Sequence, residues 1–222
     1  MLAHFRSSQA IKELRRAARE IDVNTKTGND VGDAAKRKIV PPAKLAHFVL
    51  RTPKYKELVQ WYKTVLDARA AFENEILTFL SYDDEHHRVA LINMPDLSAQ
   101  AEGVAGVHHI AFTYDTLGDL LENYERLKEI GIVPKFVVNH GPTTSLYYED
   151  PDRNQLEFQV ENFPSIEEST RFFYSQAFAE NPIGVEFDPG DMLQRLRAGE
   201  SETELKRRPD VGARGLADVK LR

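Results

Sequence analysis

The 222-residue sequence predicts an α+β fold made of two successive βαβββ repeats, with helical extensions at both ends. Two observations carry this. The strand–helix pair KLAHFVLRT–PKYKELVQWYKTVLDARA returns as GVHHIAFTYD–TLGDLLENYERLKEIG, with His47 and His109 at matching places 62 residues apart. Each pair is then followed by three short β-type runs. Self-similarity at a fixed offset marks one supersecondary unit used more than once.

Residues 1–42 read as a helical arm and linker. The stretch 8–21 places Ile11, Leu14, Ala18 and Ile21 on one stripe, and 22–38 is poor in apolar residues. Residues 43–162 form the repeat domain, divided into 43–105 and 106–162. In the first repeat, strand 45–50 leads into a helix with Thr52 as its cap and Pro53 at the first helical position. That helix carries an apolar stripe of Tyr55, Leu58, Trp61, Tyr62 and Val65. Strands at 69–73, 76–82 and 87–93 follow. In the second repeat, strand 107–112 precedes a helix with Leu117, Leu120, Leu121, Tyr124 and Leu127 on one stripe and Gly131 as its stop. Strands at 133–138, 145–149 and 155–160 complete it. Residues 163–222 are a C-terminal extension. A helix is expected over 166–178, partly buried through Phe172, Phe173 and Phe178, another over 191–196, and a charged, mobile tail after Gly199.

Composition narrows the function classes. The chain is 41% hydrophobic and 29% charged, an ordinary globular balance. Its net charge of -6 argues against a dedicated nucleic-acid binder, which needs surplus Lys and Arg to neutralise phosphates. No apolar run reaches the ~18 residues of a membrane span. No continuous apolar core of a secretory signal stands in the first 20 residues, and Glu13 and Glu20 are atypical of a mitochondrial presequence. The expectation is a cytoplasmic protein with no membrane or nucleic-acid partner. There is no Cys, so a metal would have to be held by His and carboxylates.

Strand alternation then singles out candidate donors. His47 shares a face with Leu45 and Val49, and His109 shares one with Val107 and Ala111. In strand 155–160, Leu156, Phe158 and Val160 face one way, and Gln155, Glu157 and Gln159 the other, which makes Glu157 a third candidate. Two His and one carboxylate leave coordination positions open, as non-haem iron(II) enzymes require. A lone strand His is more often a hydrogen-bonded core residue, and a lone strand Glu is more often a surface carboxylate. The repeat shifts that balance, because it puts two His at equivalent positions and an acid on a third strand.

The motif HHIAF at 108–112 and the run HGPTTSLYYEDPDRNQLEF at 140–158 resemble the vicinal-oxygen-chelate (glyoxalase/bleomycin-resistance/dioxygenase) superfamily. Within it they are most similar to one-domain type I extradiol dioxygenases of the catechol and biphenyl-2,3-diol kind. The resemblance covers residues 43–162 and implies a half-barrel cleft. It further implies Fe(II), with Mn(II) as the alternative, held by His47, His109 and Glu157. The implied catalytic residues are His87, in the pattern HRVAL at 87–91, Tyr147, ten residues before Glu157, and His140, which precedes Gly141. His87 would stabilise reduced dioxygen and then act as general acid, while Tyr147 would hydrogen-bond a substrate hydroxyl. The partners implied are a small aromatic diol and O2, with ring opening beside the diol as in aromatic hydrocarbon catabolism. A homo-oligomer is compatible with the fold. The loop from His140 to Tyr147 is shorter than usual in such proteins, and the segment between His87 and His109 is longer.

Alternatives stay open at this stage. His87 could instead be a turn residue paired with Asp83, Asp84 or Glu85, and His86 and His108 read as bystanders of that kind. Tyr147 and Tyr148 have opposite parity, so only one can enter a cleft. Phe172, Phe173 and Tyr174 could cover its mouth or simply be core. Among rival functions, glyoxalase or epimerase-type lyases and isomerases of this fold use a further Glu or Gln ligand on the last strand of the first repeat. Residues 87–93 contain neither. A small-molecule-binding module without catalysis would have no use for the three donors.

Overall fold

The computed structural model describes residues 40–101 and 103–218. The expected helix at 8–21 and linker at 22–38 lie outside the described residues. The chain divides between a first segment, Met1–Leu45, and a unit spanning Ala46–Arg222 that holds the regular elements given below.

The two repeats are there with identical strand order. The first comprises β1 (Phe48–Thr52), α1 (Tyr55–Val65), β2 (Arg69–Glu73), β3 (Leu77–Ser81) and β4 (Val89–Asn93), ordered β1-β4-β3-β2. The second comprises β5 (His109–Thr113), α2 (Leu117–Glu129), β6 (Phe136–Asn139), β7 (Thr143–Glu149) and β8 (Gln155–Glu161), ordered β5-β8-β7-β6. A short ninth strand, β9 (Val185–Glu186), extends the second sheet beyond β6. In both repeats the first strand runs parallel to the fourth, and the remaining pairs are antiparallel.

Each helix lays its apolar stripe on its sheet. The α1 stripe buries Tyr55, Leu58, Val59, Tyr62 and Val65. Trp61 is only half-buried and meets Tyr62 edge-on at 5.0 Å. Thr52 is not the cap of this helix. It is the last β1 residue, paired with Asn93, and its carbonyl accepts the Met94 amide at 2.9 Å. A residue held in a ladder cannot also begin a helix, so α1 starts later, after Lys54, and Pro53 lies outside it. The Thr52 hydroxyl instead accepts the Lys54 amide at 2.9 Å.

Helix α2 follows the expected stripe throughout, with Leu117, Leu120, Leu121, Tyr124 and Leu127 all buried. Thr116 caps it by accepting the Asp119 amide. At the far end the Ile132 amide reaches the Leu127 carbonyl and the Gly131 amide reaches that of Lys128. With Gly131 at φ +83°, this is a Schellman closure, which a residue bearing a Cβ would strain. These stripes meet Leu80, Val89 and Leu91 of the first sheet and Leu146, Tyr148, Leu156 and Phe158 of the second in one core.

The C-terminal extension departs from expectation in two ways. The helix foreseen over 166–178 is two helices, α3 (Ile166–Phe172) and α4 (Gln176–Glu180). Ser175 breaks it by donating to the Phe172 carbonyl and capping α4 at Phe178. Phe173 is 49% exposed and Tyr174 87%, so neither is core. From Gly199 to Asp218 the chain is anchored rather than loose. Helix α5 (Pro189–Arg197) is capped by Asp188 and ties to α2 through Arg197, Glu122 and Glu125. In α6 (Glu202–Leu205), Glu202 accepts the Leu117 and Gly118 amides at the N-terminus of α2, where a carboxylate is favoured. Arg214 pairs with Glu186 of β9 at 2.7 Å. No helix among the described residues is long and apolar enough to cross a membrane.

Candidate active site

The second sheet carries a continuous polar chain on the face turned away from its helix. In β8, Leu156, Phe158 and Val160 enter the core, which leaves Glu157 on the opposite face, although buried. Glu157 pairs in register with Ala111 of β5 and Tyr147 of β7. Its Oε2 lies 3.1 Å from Nε2 of His109, the first residue of β5. The Tyr147 ring meets the His109 ring edge-on at 5.4 Å. The Tyr147 hydroxyl is 3.0 Å from His140 Nε2, and its residue faces Glu157 across the β7–β8 ladder. Burial, followed by the Glu157 carboxylate, pushes the Tyr147 hydroxyl well above the ordinary phenol range. Tyr148, of opposite parity, packs tilted against Phe158 in the core at 5.1 Å, so Tyr147 is the one that enters the cleft.

His140 follows β6 and opens a tight turn in which its amide donates to the Thr143 carbonyl. Gly141 in that turn has φ +105°. The His140 Nδ1 meets the Ile183 carbonyl. A carbonyl only accepts, so Nδ1 carries the hydrogen and Nε2 presents its lone pair to Tyr147. Burial holds this imidazole below the ordinary histidine range, although the Ile183 bond opposes the shift.

A second group forms in the first repeat. His87 is buried, stacked on Phe79 at 4.5 Å, with the His47 ring tilted against it at 4.3 Å. It lies just ahead of β4 rather than within it, because the ladder begins at Val89. Burial first, then the neighbouring His47 and His86, lower its pKa and favour the neutral ring. The acids of its turn are engaged elsewhere, Asp83 with Arg88 at 2.9 Å and Glu85 with His86 at 3.6 Å. His108 contacts His109 through the two Nδ1 atoms, so it is a direct neighbour of a candidate donor.

The three candidate metal donors are thus split. His109 and Glu157 converge. His47 is exposed, one residue ahead of the β1 ladder, and sits with His87. Among the described residues no three His, Asp or Glu side chains form a group that could hold a metal. The converging pair nevertheless fits a divalent cation. Two ligands at right angles, each ~2.1 Å from such an ion, stand ~3.0 Å apart, and His109 Nε2 and Glu157 Oε2 stand 3.1 Å apart.

The paired registers settle what occupies the position corresponding to Glu157 in the first repeat. Val49 pairs with Ala90, and Ala111 pairs with Glu157. Val49 and Ala111 match under the 62-residue offset, so Ala90 is the counterpart of Glu157. A methyl group cannot coordinate, and the first repeat offers no carboxylate there.

Beside the polar chain lies a cavity of about 510 Å³, lined by His109, His140 and Tyr147 together with Phe136, Pro182, Ile183 and Glu186. This is the size and mixture, apolar walls with a few convergent polar groups, of small-molecule sites. Pro182, Ile183 and Glu186 come from the C-terminal extension. Nothing in their local pattern marks them, because β9 is only two residues long and Ile183 acts through its backbone.

Comparison with known proteins names the family to which this fold belongs. The model of the Glyoxalase/Bleomycin resistance protein/Dioxygenase superfamily matches residues 44–158, and the chain belongs to that family. Two curated relatives from Rhodococcus globerulus are similar over most of their length. Biphenyl-2,3-diol 1,2-dioxygenase 2 is 49% identical over 157 residues, 70% of this chain and 83% of the relative. Biphenyl-2,3-diol 1,2-dioxygenase 3 is 44% identical over 167 residues, 74% of this chain and 88% of the relative.

Proposed function

We propose that this protein is an extradiol dioxygenase that opens a catechol-type ring, with biphenyl-2,3-diol as the first substrate to test. The observation that carries the reading is the convergence of His109, Tyr147 and His140 on one cavity, with Glu157 3.1 Å from His109, in a chain 49% identical to a biphenyl-2,3-diol dioxygenase. The chemistry balances without an external reductant, because both atoms of O2 end in the ring-opened product.

His109 and Glu157 would hold a divalent metal, Fe(II) with Mn(II) as the alternative, and His47 would be the third donor. When bound, that ion would bring the diol oxygens and O2 together and pass electron density between them. The protein supplies the proton handling. Tyr147 has one hydroxyl proton and, in His140 Nε2 at 3.0 Å, an acceptor for it. It can therefore accept a hydrogen bond from a substrate hydroxyl while passing its own proton to the His140 lone pair. His87, neutral and shielded between Phe79 and His47, would act on the oxygen side as hydrogen-bond donor and then general acid. Phe136, Pro182 and Ile183 would exclude water from the aromatic substrate. Ala90 in the position matching Glu157 disfavours the lyase reading, which requires a further ligand there.

The test is anaerobic reconstitution with Fe(II), then addition of biphenyl-2,3-diol or catechol and air. A yellow product with matching oxygen uptake is expected, and both should vanish in His109→Ala and Glu157→Ala along with the bound iron. Turnover of a dicarbonyl–thiol adduct under Ni or Zn, without diol cleavage, would overturn the reading.

A further inference from the structure

The C-terminal extension grips His140 from three sides. The His140 ring donates through Nδ1 to the Ile183 carbonyl. That carbonyl is aimed by Asn181, whose side chain accepts the Ile183 and Gly184 amides at 3.2 and 2.7 Å and donates to the Gly184 carbonyl at 3.1 Å. The His140 backbone carbonyl accepts from Arg208 Nη1 at 3.2 Å, and the same Nη1 reaches the Asn181 carbonyl at 2.7 Å. Arg208 Nη2 donates to the Ala177 carbonyl at 2.9 Å. The guanidinium also lies over the Phe172 ring, 5.0 Å from its centroid. Phe172 in turn closes on the turn after His140, where a Cβ on Gly141 would stand 2.3 Å from the ring. One guanidinium thus bridges the residue that bears the imidazole and the loop that bears its hydrogen-bond acceptor.

We infer that Arg208 is a positioning residue for the active site: by tying the His140 and Asn181 carbonyls together it holds the His140 ring against Ile183, with Nδ1 protonated and the Nε2 lone pair on Tyr147. The planar fork of arginine suits this role, because three carbonyls at fixed directions need donors in a fixed plane. Lysine keeps the charge but presents it as a point. The inference rests on the dioxygenase reading only for its catalytic consequence. Which ring nitrogen carries the hydrogen is a property of the folded chain.

Two measurements decide it. In metal-free protein labelled with ¹⁵N-histidine, long-range ¹H–¹⁵N spectra, with the His140 signals assigned by their loss in His140→Gln, should show Nδ1 protonated. Arg208→Ala, or Arg208→Lys should the first not fold, should give a mixture of the two tautomers. In iron-loaded enzyme the same variant should lower kcat about tenfold, a part of the 10²–10⁴ that a positioned acid–base group contributes, with iron content unchanged. In a His140→Gln background it should lower kcat no further, because residues acting through one another are not additive. A wild-type ring protonated on Nε2 would overturn the inference. So would a variant whose tautomer stays as in wild type, or losses that multiply in the double variant. If the wild type cleaves no diol, the dioxygenase reading fails while the spectra still decide the role of Arg208.

Discussion

Gly184→Ala probes the joint between the C-terminal extension and the second sheet. Gly184 sits at φ +111°, just before β9. A Cβ there would stand 2.3 Å from the Asn139 carbonyl oxygen and 2.8 Å from the His140 Cα. Both obstacles are backbone, so no rotamer change relieves them. The positive φ costs an alanine about 1–2 kcal/mol, and the overlap adds about 1–3 kcal/mol if neighbours shift to accommodate it. Together they predict a loss of ~2–5 kcal/mol, or about 4–20 °C in Tm at roughly 2–4 °C per kcal/mol for a chain of this size. The strand must also retreat from β6, and the Ile183 carbonyl with it, so turnover should fall while iron content holds. Calorimetry and a chemical-denaturation midpoint read the first effect, and oxygen uptake the second. Gly212→Ala is the control: its φ is +82° but nothing lies within 4 Å of the added carbon, so only the φ cost applies. A Gly184→Ala protein that melts within about 2 °C of wild type, or loses no more than the Gly212→Ala control, would refute the reasoning.

Three further outcomes follow from the same geometry. Tyr147→Phe removes the hydroxyl that meets His140 Nε2; oxygen uptake with biphenyl-2,3-diol should drop about 10²-fold, and bound iron, measured by ferrozine, should stay normal. His87→Asn should slow turnover on a similar scale with iron content near that of wild type, whereas loss of iron would reassign His87 as a ligand. Glu186→Gln tests a pH dependence: the hydrogen bond from Arg214 lowers the Glu186 pKa from its ordinary 4.5. A lowered folded value means that its stabilisation is present above the unfolded pKa and lost as pH falls through the folded one. Wild type should therefore exceed the variant in stability at neutral pH, by no more than about 1 kcal/mol for so exposed a pair. That margin should shrink to nothing as urea titrations are taken below pH 4.5.

Much of the fold was legible because the repeat doubles each signal. The α2 stripe, its Gly131 stop and the alternation of β8 are local patterns with one physical solution each, and all appear as read. Errors gathered where a residue's role depended on a partner distant in the chain. Thr52 reads locally as a helix cap, yet the ladder with Asn93 claims it for β1. The span 166–178 reads as one helix, yet Ser175 makes better bonds by ending it.

The site divides along the same line. Strand parity and an internal offset are properties of the chain itself, so His47, His109 and Glu157 could be reasoned as candidates from the sequence, and parity alone says that only one of Tyr147 and Tyr148 can enter a cleft. Which of those donors stand within reach of one another is a matter of tertiary structure. Sheet register brings His109 to Glu157 and seats Ala90 in the matching place, while His47, one residue outside its ladder, stands beside His87. The hold on His140 lies further still from local pattern. It is made by the backbone carbonyl of Ile183, 43 residues away along the chain, and by the Arg208 guanidinium, 68 residues away. A carbonyl is common to every residue, so its direction exists only once the chain has folded.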